Sequence, residues 1–123
     1  MVPDLCQEGE VVPEYVGAVR VPTRPTLKRY GLTEQDWRDM LAEQGFACGV
    51  CHKVPASGTL HIDHDHVRGW RKMVPAERRK YVRGLTCFVD NSVFLRRGAT
   101  PERLRAAADY LERFLLTSSA ETR

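Results

Sequence analysis

The 123-residue sequence has no apolar run approaching the roughly 20 residues that a membrane-spanning helix requires. Its first residues, "MVPDLCQEGEVVPEYV", have neither the basic region nor the apolar core of a secretory signal. The sequence also has no internal repeat and no low-complexity tract. These absences argue against a membrane protein and a repeat protein. We therefore expect one small domain that works in the cytoplasm.

Cysteine is scarce, with four residues, and in a reducing cytoplasm these should not form disulfides. Cys48 and Cys51 form the motif "CGVC", a C-x2-C turn that aims two thiolates at one ion. Cys87 can be the third ligand, and Asp90 stands three positions later, where a second C-x2-C motif would place its partner. Three thiolates and a carboxylate oxygen can complete a tetrahedral zinc site. We therefore expect structural zinc at these four residues.

Three other interpretations of the cysteines stay open. His52 is a rival fourth ligand for zinc. The letters "CGVCH" also match the C-x-x-C-H pattern of c-type haem attachment, although that chemistry normally belongs to exported proteins. The third interpretation is a set of buried thiols without a ligand. Cys6 has no partner in the pattern and is expected to be an ordinary residue.

Excess charge of one sign is confined to a single segment. The formal net charge is only +3, but residues 68–83 carry +6, because seven basic residues stand there against Glu77 alone. Such a stretch favours a polyanion as partner, since phosphate neutralisation with counterion release dominates nucleic-acid affinity. A solvated, charged loop is the alternative. The basic residues that would contact such a polyanion are Arg68, Arg71, Lys72, Arg78, Arg79, Lys80 and Arg83.

Periodicity predicts an α+β protein, mostly helical, with three segments. Residues 1–29 are rich in proline and are expected to form an extended arm. Residues 30–98 are expected to form the core, and residues 99–123 a C-terminal helix. Within the core, Thr33 as N-cap, Asp36 in a capping box and Gly45 as a stop predict the first helix.

Strands are predicted over residues 59–63 and 80–86. A short helix should follow Cys87, with Val89, Val93 and Phe94 on its apolar side, and should end near residue 98. The C-terminal helix begins with Thr100 as N-cap and a proline at its first position. Its apolar residues indicate packing within the chain, with a dimer interface as the second interpretation; they are Leu104, Ala108, Leu111 and Leu115.

The stretch "HIDHDH" concentrates three histidines and two aspartates in residues 61–66, at the end of a predicted strand. Alternation would put Asp63 on one face and His64 and His66 on the other, but a turn just past Asp63 would let Asp63 and His64 converge. Phosphodiester hydrolysis needs a base, a divalent cation and cationic donors. His64 can be the base, because imidazole titrates near neutrality. Oxygens of Asp63 and Asn91 suit Mg²⁺.

Three stretches, "LKRYGLTEQDWRDMLAEQGFACGVC", "LHIDHDH" and "VRGLTCFVDN", resemble in order the motifs of the phage recombination endonuclease VII family. That family belongs to the His-Me finger (ββα-metal, HNH-like) nucleases. The resemblance implies a small zinc-stabilised ββα-metal core with flanking helices that acts as a Mg²⁺-dependent DNA endonuclease. The general base of the family matches His64, and its catalytic metal ligands match Asp63 and Asn91.

The resemblance also implies roles at the substrate. The last histidine of the motif, a phosphate or leaving-group contact, matches His66, and another family histidine matches His61. Arg83 in "VRGL" would clamp a phosphate. The sequence departs from the family where Asp90 replaces a zinc cysteine, and in the long basic loop of residues 67–82, which we expect to be a DNA-contacting insertion.

Three activities follow as alternatives. The resemblance implies a dimer that cuts branched DNA such as four-way junctions, using Mg²⁺ or Mn²⁺, in phage recombination or DNA packaging in the host cytoplasm. The nearest alternative is an HNH-type endonuclease that nicks or cuts ordinary duplex. A non-catalytic zinc module that binds nucleic acid would explain the cysteines and the basic segment. It would leave Asp63, His64 and Asn91 without a purpose.

Overall fold

The computed structural model describes residues 12–121, with side chains described for residues 12–116. The chain is a small α+β protein with two separate two-stranded antiparallel sheets. No described helix is both long enough and apolar enough to cross a membrane. In chain order the strands and α-helices are β1 (Tyr15–Val16), β2 (Val19–Arg20), α1 (Arg24–Arg29), α2 (Glu34–Glu43), β3 (His61–His64), α3 (Pro75–Arg78), β4 (Val82–Thr86) and α4 (Pro101–Glu121).

The N-terminal segment differs from the expected extended arm. Residues 1–11 lie outside the described part of the chain, residues 15–20 form the β1–β2 hairpin, and Arg24–Arg29 form helix α1. The Oγ1 atom of Thr23 accepts a hydrogen bond from the backbone N–H of Thr26, and a proline follows in the first turn. An N-cap followed by an early proline is a helix-start signal. The proline that suggested extended chain therefore starts a helix.

Helix α2 confirms the predicted capping box. The Oγ1 atom of Thr33 accepts from the N–H of Asp36 at 3.0 Å, and a carboxylate oxygen of Asp36 accepts from the N–H of Thr33 at 2.8 Å. The helix ends before Gly45, whose φ of 73° favours glycine. Trp37 and Leu41 are completely buried at the centre of the core.

The β3–β4 hairpin packs one face against that core through Ile62 and Leu85, which are register partners. Both strands begin two residues later than predicted, at His61 and Val82. The start of β4 is displaced because Arg79–Tyr81 form a 3₁₀ turn. A bulge lies between Asp63 and the next residue, as the pairing partners shift from Gly84 to Val82.

A short helix follows Cys87 as predicted, with residues 88–89 helical and a π-helix over Asp90–Phe94, but it ends before residue 98 and its apolar side does not face the core. Val89, Val93 and Phe94 are exposed, by 59%, 55% and 48%. A helix this short can bury only one side, and its buried residue is Asp90, which points at the cysteines. The polar side is therefore the internal one.

Helix α4 begins as predicted, since the N–H of Arg103 donates to the Thr100 Oγ1 atom at 3.1 Å. The prediction that its apolar residues pack within the chain is wrong for most of them. Leu104 is half-buried, but Ala108, Leu111 and Leu115 are exposed. The helix leaves the core after its first turn, so its apolar stripe meets no partner within the described residues.

Candidate functional site

The predicted metal ligands converge in the structure. The ligand atoms of Cys48, Cys51, Cys87 and Asp90 all lie within 4.8 Å of one another. The Oδ2 atom of Asp90 lies 3.3 Å from the Cys48 Sγ atom and 3.2 Å from the Cys87 Sγ atom. Tetrahedral zinc with bonds of about 2.3 Å to sulfur and 2.1 Å to oxygen places neighbouring ligand atoms about 3.6–3.8 Å apart. The donor set and its spacing therefore fit a metal ion such as zinc.

Neighbouring backbone holds the cysteine turn against strand β4. The N–H of Gly49 donates to the carbonyl of Leu85 at 2.9 Å. The side chain of Gln44 accepts from the N–H of Leu85 and donates to its carbonyl, each at 2.9 Å. A Cβ atom on Gly84 would lie 2.7 Å from the Gln44 side-chain oxygen, so a larger residue there would displace the Gln44 side chain. Gln44 carries no sequence signal that singled it out.

The ionisation of the cluster matches a cation site. Burial opposes ionisation of Cys48, but the N–H groups of Cys51, Cys87 and Val50 outweigh it and lower the pKa of that thiol. The backbone N–H of Asp90 favours the Cys87 thiolate, yet burial and the Asp90 carboxylate together raise the pKa of Cys87 to about 11. Three thiols and a carboxylate in contact cannot all ionise without a compensating cation.

The rival interpretations of the cysteines fit the geometry less well. His52 is exposed and is not a member of the cluster. A haem thioether would need Cys48 and Cys51 directed away from Cys87, whereas all three point at Asp90. Cys51 is exposed, so the three residues are not a set of buried thiols. Cys6 lies outside the described residues.

Asp63 of the histidine motif forms a buried ion pair with Arg83. Asp63 is 3% exposed, and its two oxygens accept hydrogen bonds from Arg83, at 2.7 Å from Nε and 3.0 Å from Nη2. Arg83 also donates to the carbonyl of Leu95 at 3.1 Å and lies 4.0 Å from a carboxylate oxygen of Asp65. The guanidinium that we expected at a phosphate is bound to the carboxylate that we expected at Mg²⁺.

His64 lies in an aromatic environment. Its ring stacks on Trp70, with centroids 4.0 Å apart and planes 19° apart, and on His66 at 5.0 Å and 27°. Tyr30 lies on a third side at 5.9 Å. Burial, together with the like charge of His66, lowers the pKa of His64 and outweighs the nearby carboxylates. The lowered pKa favours the neutral imidazole, which is the form that a general base requires.

The basic segment divides into two groups. Arg78 donates three hydrogen bonds to backbone carbonyls, Arg79 pairs with Asp36, and Lys80 pairs with Glu77 at the surface. The second group is at or near a cavity. Arg68 is exposed, and Arg71 and Lys72 line an open cavity of about 520 Å³ beside the histidines. The full lining is His64, His66, Val67, Gly69, Trp70, Arg71, Lys72 and Arg97.

The structure does not bring Asn91 into that cavity. Asn91 and His61 line a second cavity, of about 360 Å³, next to Tyr30. The hydrogen bonds found among the described residues do not join the side chain of Asn91 to Asp63 or His64. The backbone of Asn91 lies close to the cysteine cluster, since its N–H donates to the carbonyl of Cys87 at 2.9 Å.

Sequence reasoning missed three residues around His64. Trp70 and Tyr30 contact its ring, and Arg97 completes the cationic lining of the cavity. An aromatic residue within a basic stretch was the available signal for Trp70. Arg97 lies past the motifs, and only the fold brings it near the histidines.

Comparison with known proteins gives one result. The family model described as recombination endonuclease VII matches residues 23–113, which is most of the chain. The matched span includes α1, α2, the cysteine cluster, the β3–β4 hairpin and the first half of α4. No curated protein and no solved structure matches the chain.

Proposed function

Since the chain belongs to the recombination endonuclease VII family, and so to nucleases that act on DNA, we propose that it is a Mg²⁺-dependent endonuclease of the His-Me finger type. The observation that carries this proposal is the position of His64. It ends strand β3, stacks on Trp70, and lines a cavity whose charged side chains, Arg71, Lys72 and Arg97, are cationic. A water molecule beside His64 would lose its proton to the imidazole as it attacks a phosphate in the cavity.

The cationic side chains of the cavity would hold the DNA backbone. Arg71, Lys72 and Arg97 surround the histidines, and Arg68 is exposed nearby. His66, stacked against His64, is placed to contact the phosphate or the leaving oxygen. We assign Arg78 and Arg79 to the structure of the loop, because Arg78 binds backbone carbonyls and Arg79 binds Asp36. Lys80 pairs only at the surface with Glu77 and stays a proposed DNA contact.

Asp63 and Asn91 are the residues that we propose to hold Mg²⁺ or Mn²⁺. Asp63 fits in chemistry, because carboxylate oxygens suit these hard cations. Both of its oxygens accept a hydrogen bond from Arg83, so Arg83 would compete with a cation for this carboxylate. A bound cation would supply charge neutralisation at the phosphate and the leaving oxygen. Arg83, once released, would be free to clamp a phosphate, and His61 lies with Asn91 at the neighbouring cavity.

Zinc is the ion that we propose for the cysteine cluster, with Asp90 as fourth ligand. Soft thiolates select zinc over Mg²⁺, so the two metal sites would not exchange ions. Through Cys87 and Asp90 this ion would fix the start of the π-helix against the hairpin that carries His64.

For the substrate we propose branched DNA, cut by a homodimer in phage recombination or DNA packaging. The dimer proposal rests on the exposed apolar face of α4, where Leu111, Phe114 and Leu115 are 59%, 64% and 61% exposed. Exposed apolar patches of this kind mark protein interfaces. Two joined active sites would suit a junction, which presents two strands to cut. Ordinary duplex remains the alternative substrate of the same site.

One experiment tests both parts of the proposal. The purified protein and its His64→Ala variant are incubated with a labelled four-way junction and with a linear duplex of the same sequence. Mg²⁺ is added or omitted, and not removed with a chelator, because a chelator would also strip zinc. We expect Mg²⁺-dependent cutting of the junction that is lost in the variant. Equal cutting of both substrates would refute junction specificity, and binding without cutting by folded wild type would favour a non-catalytic zinc module.

A further inference from the structure

The ring of Trp70 is fixed against His64 although the two residues lie on different elements. Trp70 begins a 3₁₀ turn, and the preceding Gly69 has a φ of 80°, which lets the chain fold back over the end of β3. The Nε1 atom of Trp70 is buried and has no hydrogen-bond partner among the described residues. The ring therefore interacts through its π surface, with His64 at 4.0 Å and Tyr30 at 5.6 Å.

Arg78 holds Trp70 in this position. The guanidinium carbon lies 4.5 Å from the centre of the Trp70 ring. Its nitrogens donate to the carbonyls of Trp70 at 3.3 Å, Arg71 at 2.8 Å and Arg29 at 3.1 Å. The last bond ties the loop to the end of helix α1. Arg78 therefore joins helix α3 to the 3₁₀ turn at Trp70 and fixes both to the end of helix α1.

The same loop packs closely against the connection between α1 and α2. A Cβ atom on Gly31 would lie 2.2 Å from the carbonyl oxygen of Pro75, so only glycine permits this approach. Arg79 adds a hydrogen bond to the carbonyl of Gly31 and an ion pair with Asp36, the residue that completes the capping box of α2. The segment that carries Trp70 and Arg78 is therefore fixed to the N-terminal helices and is not a loose cationic loop.

We propose that Trp70 and Arg78 are positioning residues that hold the ring of His64 in its reactive orientation. This inference rests on the proposed role of His64 as base. It divides the basic segment by function, because Arg71 and Lys72 would contact DNA while Trp70 and Arg78 act through His64. A base that moves by about 1 Å loses on the order of 100-fold in rate, which is the scale on which such residues matter.

The test compares substitutions that keep or remove the stacking surface. Trp70→Phe keeps an aromatic face, Trp70→Leu removes it, and Arg71→Ala removes only a cation of the cavity. We expect Trp70→Leu to lower kcat roughly 10- to 100-fold with KM changed little, and Trp70→Phe to restore most of the rate. Arg71→Ala should instead raise KM. Arg78→Lys should fall between wild type and Arg78→Ala, because lysine cannot make the three carbonyl contacts.

A second readout needs no activity. The proton signals of the His64 ring, recorded by NMR at one fixed pH without DNA or Mg²⁺, should show an upfield ring-current shift from Trp70. This shift should be lost in Trp70→Leu and retained in Trp70→Phe. Unchanged His64 signals would overturn the proposal. A rise in KM alone would also overturn it and would indicate that Trp70 contacts the DNA. If His64→Ala itself cuts DNA at the wild-type rate, the proposed function fails, whatever the NMR result.

Discussion

Removal of the Arg83 guanidinium should destabilise the protein, because the carboxylate of Asp63 would stay buried without its partner. The Asp63 side chain is 4% exposed, and both of its oxygens are bound by Arg83. Breaking a buried ion pair from one side costs roughly 3–5 kcal/mol. The Arg83 side chain is 38% exposed, so water can replace part of the lost interaction. We therefore expect Arg83→Ala to lower the free energy of unfolding by about 2–3 kcal/mol.

Urea denaturation followed by circular dichroism measures this loss. The matched control is Lys80→Ala, which breaks the exposed pair with Glu77 and should cost about 0–1 kcal/mol. Asp63→Asn in the Arg83→Ala background should recover stability, because it removes the unpaired charge. A loss below about 0.5 kcal/mol in Arg83→Ala, or simple additivity with Asp63→Asn, would refute the reasoning.

The same variant bears on the proposed cation site. With Arg83 gone, the two oxygens of Asp63 are open to a hard cation. Mg²⁺ or Mn²⁺ should therefore raise the melting temperature of Arg83→Ala more than that of wild type, because a ligand that binds the native state stabilises it. The control is the Arg83→Ala, Asp63→Asn double variant, in which the cation should have no effect. Equal shifts in all three proteins would show that Asp63 is not the ligand.

Three further results are expected. Asp90→Cys should bind zinc more tightly than wild type and Asp90→Ala more weakly, measured by competition with a chromophoric chelator; equal affinities would remove Asp90 from the site. The pKa of Asp36 is lowered to about 2, chiefly by its hydrogen bond with Arg79 and then by the N–H of Thr33. Because the pKa of Asp36 is lower in the folded state, its stabilisation is complete above about pH 4 and is lost toward pH 2. Arg79→Ala should therefore make the free energy of unfolding depend less on pH between about pH 4 and pH 2. An unchanged pH profile would contradict the assignment. Leu111→Glu on α4 should convert a dimer to monomer in light scattering, and a wild-type monomer would refute the dimer proposal.

Features that depend on short sequence separations were predictable. The Thr33–Asp36 capping box and the Thr100 cap need only neighbouring residues, and both form as expected. The cysteine cluster spans the chain, but its spacing is dictated by tetrahedral geometry, so even the substitution of Asp90 could be placed. Family resemblance identified the motif that holds His64.

Features that depend on how the loop returns to the hairpin were not predictable. The sequence of the basic segment does not indicate which of its seven cations bind backbone carbonyls. In the fold, Arg78 binds three carbonyls. Exposure of the apolar stripe on α4 follows from where the helix leaves the core, which periodicity does not report. The pairing of Arg83 with Asp63 likewise depends on strand register and not on sequence distance.

The most direct test of the account is the single-turnover cleavage rate of His64→Ala at saturating junction DNA and Mg²⁺. Its matched control is His52→Asn, an exposed histidine outside the metal cluster whose φ of 62° asparagine tolerates. We expect His64→Ala to bind the junction like wild type but to cut it roughly 10²- to 10⁴-fold more slowly, the contribution of a general base. His52→Asn should cut at the wild-type rate. Undiminished cutting by folded His64→Ala would contradict the central claim that this imidazole is the base.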